Sequence, residues 1–251
     1  MARYALLNNV EHRDLRVIPR HGAQFGDNVA TVLAFPNEFG SLQREYPLFF
    51  RKDRNTGEFE SLALLGLQRG ENLFLEGEHW KASYVPAIVA RGPFLIGYQE
   101  RRTDGEVRRE AVIHVDLDDP RVSRSEGIAT FLPDGGNTPY IEHISTVLRG
   151  IQDGAELSRA MFAEFTQLDL VTPVKLEVTV SETEKYALEG LHTINNEKLA
   201  ALEPEALQRL HRNGFLQAAF LVMNSISNVN RLMTIKQRRN AQGTEAVAAT
   251  A

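Results

Sequence analysis

Residues 94–117, FLIGYQERRTDGEVRREAVIHVDL, carry the reading on which the fold turns. Asp104-Gly105 is the pair that a two-residue type I′ turn selects, because both central positions of that turn need positive φ. With the turn placed there, Thr103 stands opposite Glu106 and the register of two strands follows. Phe94 faces Val115, Ile96 faces Ile113, Tyr98 faces Ala111 and Glu100 faces Arg109, which makes one side apolar with an ion pair near its end. The other side sets Leu95 against His114, Gly97 against Val112, Gln99 against Glu110 and Arg101 against Arg108, the signature of a solvated or interface face. A slip of one residue would exchange the two faces, so turn chemistry and alternation together specify an antiparallel hairpin.

The flanking chain reads in the same way. Upstream lie short strands at 3–8, 15–19 and 29–35. A segment follows in which Asn37 is placed to cap a short helix that stops by Pro47. Residues 47–53 and 58–67 form two strands joined across RNTG, where Asn55 and Gly57 supply turn chemistry. Residues 70–93 are rich in aromatics and turn formers, with one helical turn expected after Pro86. Thr138 caps a long helix with Pro139 at its first position. Ile141, Ile144, Leu148, Ile151, Ala155, Ser158, Phe162 and Phe165 give that helix an apolar stripe to about Leu168. Gly150 and Gly154 within it either permit close packing or mark a break. VKLEVTV alternates as a half-buried strand and pairs with KYALEGLHTI through SETE. The C-terminal part is helical, with Gly214 as a C′ residue between a short helix and a long apolar one. The expected fold is α+β: a single domain over 1–240 with antiparallel sheet, one long helix and a C-terminal helical pair, and a disordered tail at 241–251.

Composition bounds the function classes. Lys plus Arg total 28 against 33 acidic residues, so the chain carries no overall nucleic-acid footprint. The one basic cluster, Lys236, Arg238 and Arg239, is expected to complement the negative end of the last helix. Cysteine is absent, which excludes disulfides, thiolate nucleophiles and cysteine-ligated zinc. No stretch approaches the ~20 apolar residues of a membrane-spanning helix. Asn8, Asn9, Glu11 and His12 interrupt any apolar export segment at the N-terminus. A cytoplasmic location is expected, with surface association only through a non-classical export route.

Candidate chemistry is sparse. His114-x-Asp116 matches the first two ligands of a two-His-one-carboxylate iron site, and His192 is the possible third. His143 lies off the apolar stripe of its helix and points to solvent. An Fe/2-oxoglutarate-like oxygenase also wants an Arg shortly after its second His, and none occurs between Arg159 and Arg209. Such a two-residue match recurs by chance, so the ordinary strand face is the preferred reading and no metal or other cofactor is assigned. No Gly-x-Ser-x-Gly elbow is present, and LPDGGNTP lacks the lysine of a phosphate loop. Arg44, Tyr46, Glu71, Asn72, Trp80, Tyr84 and Arg91 combine aromatic and polar groups suited to a binding site, or to a core whose polar tips find backbone partners. Asn224, Asn228 and Arg231 share a helix face and satisfy loop carbonyls or meet a bound chain.

Several stretches resemble the SapC family, in order along most of the chain: EFGSLQREYPLFFR, LALLGLQRGENLFLEGEHWKASYVPAIVARGPF, VDLDDPRVSRSEGIATF, LEGLHTINNEKLAALEPEALQRLHRNG and SISNVNRL. The Arg-Glu-Tyr-Pro and Gly-Glu-Asn-Leu-Phe runs, with Trp80 and Tyr84-x-Pro86, are the distinctive parts. The resemblance implies a position at His114 that need not be histidine, and no established catalytic residues. The family's name comes from bacterial surface (S-) layers. Its members lie beside flavin-dependent halogenase-like and cupin-like oxygenase genes and outer-membrane uptake receptors. It therefore implies a non-enzymatic binding or accessory protein acting with a protein partner, such as one of those enzymes, with homo-oligomers also allowed. An S-layer-related structural component and the oxygenase remain the alternatives.

Overall fold

The computed structural model describes residues 3–103 and 106–250, with side chains outside the description at 100–109 and 243–250. The strands in chain order are β1 (Tyr4–Leu6), β2 (Arg16–Val17), β3 (Thr31–Ala34), β4 (Leu48–Lys52), β5 (Phe59–Leu64), β6 (Leu75–Glu76), β7 (His79–Trp80), β8 (Phe94–Thr103), β9 (Glu106–Asp116), β10 (Val122–Ser123), β11 (Ile128–Ala129), β12 (Val171–Thr179) and β13 (Lys185–Ile194). The helices are α1 (Phe39–Leu42), α2 (Ala87–Ala90), α3 (Pro139–Gln167), α4 (Asn196–Ala200), α5 (Pro204–Arg212), α6 (Phe215–Ser225) and α7 (Val229–Thr250). The class is α+β, as the sequence indicates. The chain groups into two compact units. Unit 1 takes Met1–Asp27, Gly77–Trp80 and Ala87–Asp153; unit 2 takes Asn28–Glu76, Lys81–Pro86 and Gly154–Ala251.

In unit 1 the hairpin has the register read from its sequence, from Phe94 opposite Val115 to Thr103 opposite Glu106. Its turn, Asp104-Gly105, lies outside the described residues. β1 adds to the far side of β9, pairing Leu6 with His114 and Tyr4 with Asp116, so the sheet order is β1-β9-β8. The apolar side of this sheet forms the core of the unit. Phe94 and Val115 are fully buried and cluster with Ile141, Ile144 and Leu148 from the first half of α3, and with Leu15 and Val17. A second small sheet, β10-β2-β11, holds Val17 in place. Thr138 stands before α3 as expected. Its hydroxyl donates to the carbonyls of Ala129 and Thr130, at 2.8 and 3.1 Å, and meets the Ile141 N–H only at 3.5 Å.

Unit 2 is built on the five-stranded sheet β12-β13-β4-β5-β3. The β4–β5 turn is closed by Asp53, whose Oδ1 accepts from the N–H groups of Asn55 and Thr56 at 2.8 Å. One sheet face packs its aromatics on the second half of α3, with Phe50 at 5.0 Å from Phe162 and 6.2 Å from Phe165. Gly154 answers the question its sequence position posed. A Cβ there would meet the Phe35 Cβ and the Asn37 Oδ1 at 2.6 Å, so this glycine permits close packing. Gly214, with φ of 75°, lies between α5 and α6 as the sequence requires.

Three local expectations are corrected. The segment 36–42 is capped by the Glu38 carboxylate, which accepts from the Phe35 N–H at 3.0 Å, and Asn37 lies inside the 3₁₀ turn Pro36–Glu38. The apolar C-terminal helix is interrupted by a 3₁₀ turn, Ile226–Asn228, which separates α6 from α7. Lys236 and Arg239 do not close a helix end, because α7 runs on beyond them and both side chains bond into unit 2.

Candidate functional site

Four of the residues singled out from the sequence meet in unit 2, where their polar atoms are used internally. The Tyr46 hydroxyl donates to the Tyr84 carbonyl at 2.5 Å, and its ring lies 4.5 Å from Phe74. The Tyr84 hydroxyl donates to Glu38 Oε2 at 2.9 Å. Burial, followed by the charge of Glu38, pushes that phenol well above its ordinary range and keeps it a donor. Glu71 accepts from the Leu67 N–H at 2.9 Å and from Lys236 Nζ at 2.7 Å. The Asn72 N–H donates to Asn28 Oδ1 at 3.0 Å, while Asn72 Oδ1 accepts from the Phe74 N–H at 2.9 Å.

The partners of this segment come from α7 and from the 3₁₀ turn before it. Arg239 donates to the carbonyls of Asn72 and Leu73 at 3.1 and 3.0 Å and also reaches that of Leu75. Arg231 pairs with Glu45 at 2.6 Å, and Glu45 also accepts from the Ser83 N–H at 2.7 Å. Asn228 donates to the carbonyls of Gln43 and Tyr46 at 2.7 and 3.2 Å, which settles its role as a satisfier of loop backbone. Asn224 is exposed and does not share that role. Burial alone would make Lys236 less basic, but its contacts with Glu71 and Tyr186 raise it above its usual range. Arg44 is exposed.

Trp80 and Arg91 belong to unit 1. Arg91 donates to the Phe94 carbonyl at 2.7 Å, and burial lowers its basicity. Trp80 is half-buried, with its ring 5.3 Å from that of His21 and tilted by 59°. His21 leads to a cluster that sequence reading missed. Its Nδ1 lies 3.3 Å from Asp27 Oδ2, which also accepts from the Gly22 N–H at 3.0 Å. Asp27 Oδ1 receives Arg121 at 2.6 Å, and both side chains of that pair are nearly buried. Arg121 is fixed further by the Phe25 carbonyl at 2.9 Å, by the Phe25 ring at 4.9 Å and by Asp119 at 3.6 Å. Burial raises the Asp27 carboxyl, but the bonds from His21 and Gly22 and the charge of Arg121 outweigh it and hold the group below its usual range. The Arg-His-Gly and Asp-Pro-Arg runs are visible in the sequence, but nothing in their spacing joins them across 94 positions.

The iron-site residues follow a different course. His114 lies beside Leu95 and Leu6 on the outer side of the hairpin sheet, with its ring where a Cβ on Gly97 would stand, 2.2 Å away. Its buried Nδ1 has no hydrogen-bond partner. Asp116 Oδ1 accepts from the N–H groups of Arg3 and Asp118, both at 3.1 Å. His192 is in unit 2, its ring 5.1 Å from that of Phe59. Among the described residues no three His, Asp or Glu side chains group so as to hold a metal ion. His143 is exposed, as expected.

Unit 2 also carries an open groove of about 500 Å³ lined by Val29, Arg51, Leu62, Arg69, Glu189 and Leu191. With this geometry in view, the comparisons add one finding. The family model described as SapC matches residues 7–232. No curated protein and no solved structure matches the chain. No helix among the described residues is long and apolar enough to cross a membrane.

Proposed function

We propose, from the premise that this chain belongs to the SapC family, that it is a non-enzymatic binding or accessory protein acting with a protein partner. One observation carries the reading: Tyr4 and Leu6 put exposed apolar side chains at the β1 edge of the outer side of β1-β9-β8, a side that also carries Asp116, Gln99 and Glu110. Tyr4 and Leu6 are 58% and 37% exposed on that side, next to Leu95, His114 and Val112. Exposed apolar side chains beside partly exposed ones are what interaction sites leave on an isolated chain. Of the large apolar side chains exposed among the described residues, Tyr4, Leu6, Val10, Tyr98, Ile128 and Leu132 are in unit 1, against Val29 and Phe220 in unit 2. The proposed partner is an enzyme of the same pathway, of the flavin-dependent halogenase-like or cupin-like kind.

The test is capture of the tagged chain from its native host, quantified by mass spectrometry. A near-stoichiometric enzyme partner, retained by Phe220→Glu and lost by Leu6→Glu, is the expected result. Loss in both variants or in neither removes the outer face from the reading. Ordered self-assembly on the cell exterior would replace the reading with that of an S-layer-related component.

A further inference from the structure

The groove on unit 2 lies over one face of its five-stranded sheet. Arg51 of β4 stands between Glu60 of β5 and Leu191 of β13 in one row across the sheet, and Leu62 pairs with Leu33 in β3. The wall beyond β5 is the loop 67–70, which Asn28 ties to the start of β3 through the Gly70 carbonyl. Leu62, Leu67 and Leu191 are buried and form the floor, while Val29 is exposed and Leu188 and Thr31 are half-buried. The volume of about 500 Å³ lies within the ~300–1,000 Å³ range of small-molecule sites.

Most charges around the groove are already matched. Arg51 Nε donates to Glu60 at 2.9 Å, Lys236 holds Glu71 at 2.7 Å, and Lys175 pairs with Glu177 at 2.8 Å. Two lining side chains are left over. Arg69 is exposed and makes no hydrogen bond or ion pair among the described residues. Glu189 is exposed and makes none either; its charge acts on Lys175, whose ammonium Glu177 already holds. The two stand at opposite ends of the groove. Glu189 is in β13 and the Arg69 loop is tied beside β3, with β4 and β5 between them. Three strand spacings of ~4.8 Å separate those ends by about 14 Å. A positive end, a negative end and an apolar floor complement an extended apolar molecule with a carboxylate at one tip and an ammonium at the other. A tripeptide with free termini has that chemistry, because three extended residues span about 10 Å and the long Arg69 and Glu189 side chains close the remainder.

We infer that this groove binds short apolar peptides with free termini, the C-terminal carboxylate on Arg69 and the N-terminal ammonium on Glu189. The site uses no residue of the outer sheet face of unit 1, so its failure and that of the accessory reading are distinguishable. The full chain, labelled with ¹⁵N, is titrated with Leu-Ala-Leu, Val-Ala-Val and Phe-Ala-Phe and followed by its amide chemical shifts. Saturable shifts at 67–70 and 188–191 are expected with at least one peptide, with a midpoint on the order of millimolar or below. N-acetylation and C-terminal amidation of the best peptide should each weaken binding about fivefold or more. Removing charge from the protein then assigns the ends. In Arg69→Gln the amide should bind as well as the acid, and in Glu189→Gln the acetylated peptide should bind as well as the free one. Both substitutions change exposed side chains, and unshifted amides elsewhere report an intact fold. No saturation by any of the three, shifts centred away from the groove, or a capping penalty that persists in the matching variant each overturns the inference. Equal binding of the doubly capped peptide also overturns it, in favour of an apolar surface without end recognition.

Discussion

The two units spend their polar groups differently. In unit 2, side chains of α6, α7 and the 3₁₀ turn between them reach backbone far away in the chain, much of it irregular. Ser225 Oγ accepts from the Leu48 N–H at 2.8 Å, Asn228 and Arg239 serve loop carbonyls, and Gln237 donates to the Val180 carbonyl at 2.8 Å. Irregular chain can be buried only when its N–H and C=O groups are matched, and here a late helix supplies the matches. Unit 1 draws its order from strand ladders, gathers its buried charge into one Asp27–Arg121 pair, and leaves apolar side chains in solvent on its outer sheet face. The contrast teaches that polarity on an aromatic-rich segment is not by itself a sign of a binding site. In unit 2 it is structural, whereas the surface we propose for recognition lies on unit 1.

The comparison breaks most easily at Arg121. Arg121→Ala leaves Asp27 buried without its counter-ion and should cost about 3–5 kcal/mol. Trp80 emission during urea unfolding follows unit 1 directly. A loss below about 1 kcal/mol would mean that the pair does not anchor the unit. Asp27 also sets an acid limit. Its carboxyl is held below its usual 3.8, so its stabilising contribution is whole above pH 3.8 and is lost as pH falls through the lower native value. Asp27→Asn should remove that part of the acid limb in a pH series of melts.

In unit 2, Lys236→Ala strips Glu71 of its cation and should cost about 2–3 kcal/mol, read by far-UV circular dichroism in urea. Lys236→Arg recovering most of that loss would confirm that charge pairing is the cause. Gly154→Ala should cost about 1–3 kcal/mol, because the added methyl must displace Phe35 and Asn37. A neutral outcome there would show that the segment before α1 can shift and is less fixed than the rest of the unit.

The hairpin, the long helix, the β12–β13 pair and Gly214 were legible because each is specified by residues near one another in sequence. Alternation, a turn pair, an N-terminal Thr-Pro and a C′ glycine act within a few positions. The misread features depend on distant partners. Nothing near Asn37 says that Glu38 will turn back to the Phe35 N–H, or that Lys236 and Arg239 will be drawn to residues 71–75. The His21 cluster was invisible for the same reason, since Asp27 and Arg121 are 94 positions apart. Of Arg44, Tyr46, Glu71, Asn72, Trp80, Tyr84 and Arg91, four lie in unit 2 with their polar atoms bonded to neighbouring chain, which explains Tyr46, Glu71, Asn72 and Tyr84 as structural groups.

The smallest expected effect separates a strand-face histidine from a functional one. His114 has a buried Nδ1 without a partner, and its ring occupies the space that Gly97 leaves open. An unsatisfied buried polar atom carries a desolvation cost, so an apolar side chain of similar size should recover some stability. His114→Leu is therefore expected to change unfolding free energy by less than about 1 kcal/mol, toward greater stability. A metal ligand or a group engaged by a bound molecule would behave in the opposite way, because its unpaired nitrogen would be satisfied in the loaded protein. Thermal melts of both proteins purified from the native host make the comparison. A drop in melting temperature for His114→Leu would instead make His114 a group engaged by a bound molecule.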